Sequence, residues 1–138
     1  MGKAHTLTLV FLMIGVLSLA GGLLVGIADN LPGLLLIYGA VTSFILAFAH
    51  RWREPRRFFL LLGLSFLGFV VFAVLHNVFY AIGESSNTSW GTSLMEVLHV
   101  GSFLVAVLIC PPGILVGLIG YFVAGFRARK SHAHAPSA

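Results

Sequence analysis

The chain has 138 residues, and its eight Lys and Arg against four Asp and Glu give a formal net charge of +4. Apolar residues make up 59% and charged residues 9% of the sequence, with a mean hydropathy of +1.04. Because charged residues are roughly a quarter of an average soluble protein, this composition excludes a soluble globular domain and indicates a chain that lies in a lipid bilayer.

Four long stretches contain no Asp, Glu, Lys or Arg, and each is long enough for a transmembrane helix. A hydrocarbon core of about 30 Å needs about 20 helical residues at about 1.5 Å per residue. We therefore predict an all-α membrane protein with four transmembrane helices in an up-down-up-down bundle. The predicted helices cover about 6–28, 32–50, 57–82 and 95–127. They form a single domain over 1–130, and we expect the polar tail 131–138 to be disordered.

The distribution of charge predicts the orientation in the membrane. All eight basic residues lie on one side of the predicted bundle: Lys3, Arg51, Arg53, Arg56, Arg57, Arg127, Arg129 and Lys130. The loops on the other side carry only the acidic residues Asp29, Glu84 and Glu96. Because Lys and Arg concentrate in cytoplasmic loops, we expect both termini to be cytoplasmic, in the plasma (inner) membrane of a prokaryote.

The basic loop between the second and third predicted helices has two interpretations. Its four arginines, Arg51, Arg53, Arg56 and Arg57, could bind anionic lipid head groups, at about 1 kcal/mol per cation near the surface. Alternatively they only set the topology, as such clusters do beside many membrane helices, and we favour this interpretation. The expected partners are the lipid bilayer and other membrane protein subunits or a second copy, and no nucleic acid.

Small residues recur at helical spacing in every predicted helix. Helices in lipid associate through close backbone approach, so such residues predict contact faces within the bundle or with another subunit. The predicted faces comprise Gly15, Ser18, Gly22 and Gly26 in the first helix, Gly39, Ser43 and Ala47 in the second, Gly63, Ser65 and Gly68 in the third, and Ala106, Cys110, Gly113, Gly117, Gly120 and Ala124 in the fourth.

Two adjacent prolines, Pro111 and Pro112, stand in the middle of the fourth predicted helix. They lack N–H groups, so the carbonyls near Val107 and Leu108 lose their intrahelical partners and we predict a kink. A functional interpretation makes the kink a hinge or an opening onto an ion path. We favour a fixed bend whose freed carbonyls are satisfied inside the bundle, because no embedded acid or base accompanies it.

Recognisable catalytic motifs are missing from the chain. Cys110 is the only cysteine, which excludes an intramolecular disulfide and a CxxC redox pair. Phosphate loops, dinucleotide fingerprints, serine-hydrolase elbows and HExxH are also absent from the sequence. We therefore expect a protein that is not an enzyme.

Two histidines are predicted at similar depth near the outer boundary. Counting about 1.5 Å per residue from Arg57 places His76 roughly 28 Å along its helix. His99 lies at a similar level if the third and fourth helices form an antiparallel hairpin. Glu96 precedes His99 by three residues and so shares its helix face. This spacing presents a carboxylate and an imidazole to one metal in helical bundles.

The histidine cluster has three main interpretations. His76, Glu96 and His99 could ligate a transition metal, with Asn77 and Glu84 as outer hydrogen-bond partners that fix the tautomer. His76 and His99 could instead ligate a haem axially. In the interpretation that we favour, His76, Asn77 and His99 hydrogen-bond across helices or to interfacial water. Proton handling is the least favoured role.

These observations together favour a non-catalytic function. We predict an accessory or scaffold subunit of a larger membrane complex, or a self-associating bundle. One alternative is a metal- or haem-binding redox subunit that uses His76, His99 and Glu96. A second alternative is a small channel or transporter gated near Pro111, which predicts a water-filled cavity that reaches the bend.

Overall fold

A computed structural model describes residues 2–26, 30–86 and 88–133. Of the described residues, 91% are helical and none is in a strand. The elements are α1 (Lys3–Val25), α2 (Leu31–Ala49), α3 (Pro55–Glu84), α4 (Ser89–Leu104), a π-helical turn (Val105–Ile109) and α5 (Cys110–Ala133). Four helical segments are long and apolar enough to cross a membrane: Ala4–Val25, Leu31–Ala49, Pro55–Glu84 and Ser89–Lys130. The predicted all-α class with four candidate membrane spans is confirmed.

Local capping chemistry decides where several helices begin and end. Gly26 terminates α1 because it adopts a φ of 88°, which side chains with a Cβ rarely tolerate. The side chain of Asn30 caps α2 by accepting a hydrogen bond from the backbone of Gly33. Thr88 caps α4 in the same way through Gly91, so this helix begins at Ser89, before the predicted residue 95.

The last helix also extends further than expected. It continues to Ala133, beyond the predicted residue 127, and so includes the first three residues of the segment expected to be disordered. Polar residues are compatible with a helix that leaves the membrane, whereas the apolar stretch marks only its lipid-embedded part. The remaining tail, 134–138, and Asp29 lie outside the described residues.

α1 and α2 form an antiparallel pair in which glycine permits close approach. A Cβ at Gly15 would lie 2.7 Å from the ring of Phe44, and one at Gly22 would lie 2.8 Å from the side chain of Ile37. Such distances are too short for a real Cβ, so the predicted small-residue face of α1 is the face that contacts α2.

α3 and α5 pack antiparallel along the longest predicted small-residue face. A Cβ at Gly117 would lie 2.7 Å from the backbone nitrogen of Leu62, and one at Gly120 would overlap the ring of Phe58. Gly63 is different, because a Cβ built there meets no described neighbour within 4 Å. The face on α5 is therefore an internal contact, whereas Gly63 points away from it.

α2 connects the two helix pairs through its contact with α5 and the π-helical turn. Near the basic end of the bundle, which carries Arg51–Arg57 and Arg127–Lys130, a small core contains Ala49, Phe58 and Ala124. Towards the middle, the Tyr38 hydroxyl reaches the backbone of Val107. Residue numbers rise together along both helices, so α2 and α5 run in the same direction.

The π-helical turn lies directly before the two prolines. The N–H of Cys110 bonds to the carbonyl of Val105, five residues earlier, instead of the α-helical position four residues earlier. The carbonyl of Val107 would accept from residue 111 in an α-helix or from residue 112 in a π-helix, and both are prolines without an N–H. Tyr38 supplies the missing donor at 3.0 Å. The Val107 carbonyl thus has a hydrogen-bond partner on α2.

Candidate functional sites

His76 and His99 form a reciprocal hydrogen-bonded pair between α3 and α4. The Nδ1 of His76 donates to the backbone carbonyl of His99 at 3.2 Å, and the Nδ1 of His99 donates to the carbonyl of His76 at 3.1 Å. The rings stack with centroids 4.0 Å apart and an interplanar angle of 20°. Because a carbonyl oxygen can only accept, each Nδ1 carries the proton of its bond.

Aromatic rings flank this histidine pair on both helices. The ring centroid of Phe103 lies 5.2 Å from that of His76, and the centroid of Tyr80 lies 5.3 Å from that of His99. Both histidines are half-buried. The pair thus resembles a packed helix contact more than an open binding site.

The other residues of the predicted cluster take different positions. Asn77 is exposed and donates to the carbonyl of Ala73 on its own helix at 2.8 Å, so it does not join the cross-helix pair. Glu84, Glu96 and His99 line one small cavity of about 50 Å³, which holds only a few water molecules. Glu96 and His99, which are spaced i, i+3, thus line the same cavity.

The arrangement of the histidines does not meet the requirements of a metal ion or a haem. Across the described ranges, 2–26, 30–86 and 88–133, no group of three or more His, Cys, Asp or Glu is arranged to hold a metal ion. Axial haem ligands lie on opposite sides of the porphyrin plane. His76 and His99 lie face to face at 4.0 Å, which leaves no room for a porphyrin between them. The observed pair does not fit a haem.

The four arginines of the basic loop have separate environments. Arg51 donates to Thr8 Oγ1 at 3.1 Å and to His5 Nδ1 at 3.4 Å, and thereby connects the loop to α1. Arg57 pairs with Glu54 at 3.4 Å. Arg56 is exposed, and only Arg53 of the four lines a large cavity.

That cavity has a volume of about 830 Å³ and lies between α2, the basic loop, the start of α3 and α5. Its apolar wall includes Leu46, Leu115, Val116, Ile119, Val123 and Ala124. The basic residues His50, Arg53 and Arg127 and the aromatic residue Trp52 lie at its other end. A volume of this size falls within the range of roughly 300–1,000 Å³ typical of small-molecule sites.

Sequence reasoning missed three residues that the structure places at these sites. Tyr38 carries no pattern that identifies its acceptor, although the two prolines indicated that an acceptor exists. Arg127 was treated only as a topology signal, and the cavity that it lines together with Arg53 depends on tertiary packing. His50 bonds to the carbonyls of Leu46 and Ala4 at 3.0 and 3.3 Å, and nothing in its local sequence indicated this bridge from α2 to α1.

Comparisons with known proteins place no further constraint on the function. No protein-family model matches the sequence, and neither the curated proteins nor the solved structures include a significant match. The functional conclusion therefore depends on the geometry alone.

Proposed function

We propose that the chain is a non-catalytic integral membrane protein that serves as an accessory or scaffold subunit of a larger membrane complex, or that assembles with copies of itself. The observation that carries the proposal is the reciprocal hydrogen bonding of His76 and His99. The two candidate chemical groups are bound to the backbone of each other's helix. These bonds and the stacking of the two rings stabilise the contact between α3 and α4.

Other embedded polar groups also form hydrogen bonds inside the bundle. Tyr38 satisfies the carbonyl of Val107 at the bend. Within residues 2–26, 30–86 and 88–133, every buried side-chain nitrogen and oxygen has a hydrogen-bond partner. A catalytic or ion-conducting site usually keeps some polar groups available for its ligand, so this complete internal pairing supports a structural role.

The outer helix faces provide surface for a partner. Only 6% of the most apolar stretch of α3 and 11% of that of α1 are buried inside the chain. Gly63 on α3 and Gly101 on α4 have no described neighbour within 4 Å of a built Cβ. Because small residues let another helix approach closely, these faces suit contact with a second membrane protein or a second copy. We place this assembly in a prokaryotic inner membrane with both termini in the cytoplasm.

The channel or transporter alternative predicts a cavity that reaches the bend. The cavity of about 830 Å³ meets α5 only from Leu115 onwards, beyond both prolines. Around the bend, Ala106, Cys110 and Pro112 are buried. The described residues therefore pack this region closely, which favours the fixed bend over a gate.

The redox alternative has one favourable observation, the cavity of about 50 Å³ shared by Glu84, Glu96 and His99. Two carboxylates and an imidazole are metal-ligand types, although no three such described residues are arranged to hold a metal ion. His76 does not line this cavity, however, and stacks on His99 instead. We retain this alternative as the second candidate, and the experiment below separates it from the first.

The proposal is tested by purifying the tagged full chain from its native membranes in a mild detergent and measuring its stoichiometry and bound metal. We expect one membrane partner at a fixed ratio, or a defined oligomer. Gly63→Leu should reduce that association about tenfold, since it adds bulk to a contact face of small residues. Gly125→Leu is the matched control, because Gly125 also has no neighbour within 4 Å but lies on α5.

Two outcomes would overturn the proposal. Recovery of the native chain only as a monomer would exclude an accessory or self-associating role. A stoichiometric metal that is lost in Glu96→Gln would instead establish the redox alternative. Retention of the partner in Gly63→Leu would exclude the α3 face as the contact surface. The partner would then bind through α1 or α4.

A further inference from the structure

The large cavity combines an apolar wall with a cationic end. Along α2 and α5 its lining is almost entirely aliphatic, with Leu46, Ile119 and Val123 as examples. Arg53 and Arg127 reach it from two different elements, the basic loop and α5. Of the described residues, no Asp or Glu lines the cavity. This lining is complementary to a ligand with a long apolar part and an anionic end.

Among the described residues, Arg51 and Arg57 have partners, whereas the two arginines of the cavity have none, as is also true of Arg56 and Arg129 outside it. Arg51 is engaged with Thr8, and Arg57 is paired with Glu54. In the described part of the chain, Arg53 and Arg127 have neither a hydrogen bond nor an ion pair. Their planar guanidinium groups are suited to bidentate hydrogen bonding with phosphate, and the donors that this requires are unused.

The dimensions of the cavity match one half of a bilayer. On α5 the lining runs from Leu115 to Ala128, which is about 20 Å at about 1.5 Å per residue. The hydrocarbon core is about 30 Å thick, so one leaflet contributes about 15 Å. Trp52 lies at the cationic end, and Trp is enriched at the membrane–water interface. An acyl chain can thus lie along the wall while its head group remains at the interface.

We infer that this cavity binds an anionic phospholipid of the leaflet at the basic end. Its phosphate lies between Arg53 and Arg127, and one acyl chain lies along the apolar wall between α2 and α5. Basic pockets between transmembrane helices are known to bind anionic head groups on the cytoplasmic side. The two arginine charges are the reason to expect a preference for a net negative head group over a zwitterionic one. This site is independent of the accessory role, since a lipid can occupy it whether or not a partner is bound.

Trp52 makes the site directly measurable. The chain has two tryptophans, so Trp90→Phe leaves Trp52 as the only one. We would reconstitute this variant in nanodiscs of zwitterionic phosphatidylcholine and titrate in phosphatidylglycerol with brominated acyl chains, which quench nearby tryptophan fluorescence. We expect brominated phosphatidylglycerol to quench Trp52 at a mole fraction on the order of tenfold lower than brominated phosphatidylcholine.

Charge-matched variants separate the cavity from general surface attraction. Arg53→Gln with Arg127→Gln should abolish the tenfold preference. Arg56→Gln with Arg129→Gln removes the same charge from exposed residues that do not line the cavity, and should leave the preference intact. Since all four side chains are exposed, helical content and melting temperature should be equal in both variants. Added inorganic phosphate should not relieve the quenching, because it lacks an acyl chain.

Three results would overturn the inference. An equal loss of preference in both double variants would show only surface electrostatics. Equal quenching by the two lipids in the starting protein would show that the cavity does not select charge. Absence of quenching by either lipid would show that a protein segment or a second copy covers Trp52.

Discussion

The hydroxyl of Tyr38 on α2 donates a hydrogen bond to the backbone carbonyl of Val107, 69 residues later in the chain, at 3.0 Å. Val107 needs this donor because Pro111 and Pro112 remove the amide at both the α-helical and the π-helical position. The same bond joins α2 to the π-helical turn before α5, and so helps to connect the two helix pairs. The carbonyl that the prolines leave unpaired therefore contributes a contact between the two helix pairs.

Loss of this donor should destabilise the fold. Tyr38→Phe leaves the Val107 carbonyl unsatisfied in a medium without water, so we expect the free energy of unfolding to fall by about 1 to 2 kcal/mol. Reversible unfolding in bicelles, followed by circular dichroism, measures this change. Tyr121→Phe is the control, because Tyr121 is exposed and its ring lies beside those of Phe59 and Phe122. Equal stability of the two variants would show that the bond contributes nothing.

A double-mutant cycle tests the reason for the bond. Pro111→Ala returns an N–H at the α-helical position of the Val107 carbonyl. In the Pro111→Ala background, Tyr38→Phe should lower the free energy of unfolding by less than it does in the native chain. The expected coupling energy between the two sites is about 0.5 kcal/mol or more. Strictly additive effects on the free energy of unfolding would indicate that Tyr38 does not compensate for the proline.

Close packing of α5 on α3 makes a second prediction. Gly117→Ala places a Cβ 2.7 Å from the backbone nitrogen of Leu62, and a backbone atom cannot move aside easily. We expect this variant to lose about 1 to 3 kcal/mol of unfolding free energy. Gly125→Ala on the same helix meets nothing within 4 Å and should be neutral or stabilising by up to about 1 kcal/mol. A reversed order of the two melting temperatures would exclude this α3–α5 contact.

The histidine pair should behave as a structural contact. His76→Phe and His99→Phe keep an aromatic ring but each remove one Nδ1 donor, so each should lower the unfolding free energy by about 0.6 kcal/mol. Asn77→Ala is the comparison, because Asn77 is exposed and bonds only within α3. If Asn77→Ala lowered the free energy of unfolding as much as either histidine variant, the cross-helix bonds would stabilise the fold no more than a bond within one helix.

Much of the fold follows from the hydrophobic pattern of the chain, for clear physical reasons. A bilayer requires long apolar helices, so the four uncharged stretches identify the spans directly. Small residues such as Gly15 and Gly117 indicate contact faces. In lipid no hydrophobic effect drives helices together, so their association depends on close packing, which small residues permit. Helix ends were less predictable, since caps such as Thr88 are polar and lie outside the apolar stretches.

The sites were predicted less completely than the spans. Counting residues along an assumed hairpin brought His76 and His99 together, and the spacing of Glu96 placed it near His99. Nothing local indicated that Arg53 and Arg127 line one cavity, because their separation in space depends on how α2 packs against α5. Gly63 could not be distinguished in the sequence from the glycines of the internal faces, yet a Cβ built there meets no described residue within 4 Å.

Native mass spectrometry of the full chain, released from its own membranes into a gas phase with its ligands attached, tests the central claim most directly. It reports bound protein chains, metals and haem in one spectrum. A non-catalytic accessory or self-associating protein predicts a complex with a second protein chain at a fixed ratio and no haem or metal mass. A single chain carrying one haem or one metal ion, with that mass lost in both His76→Phe and His99→Phe, would contradict it.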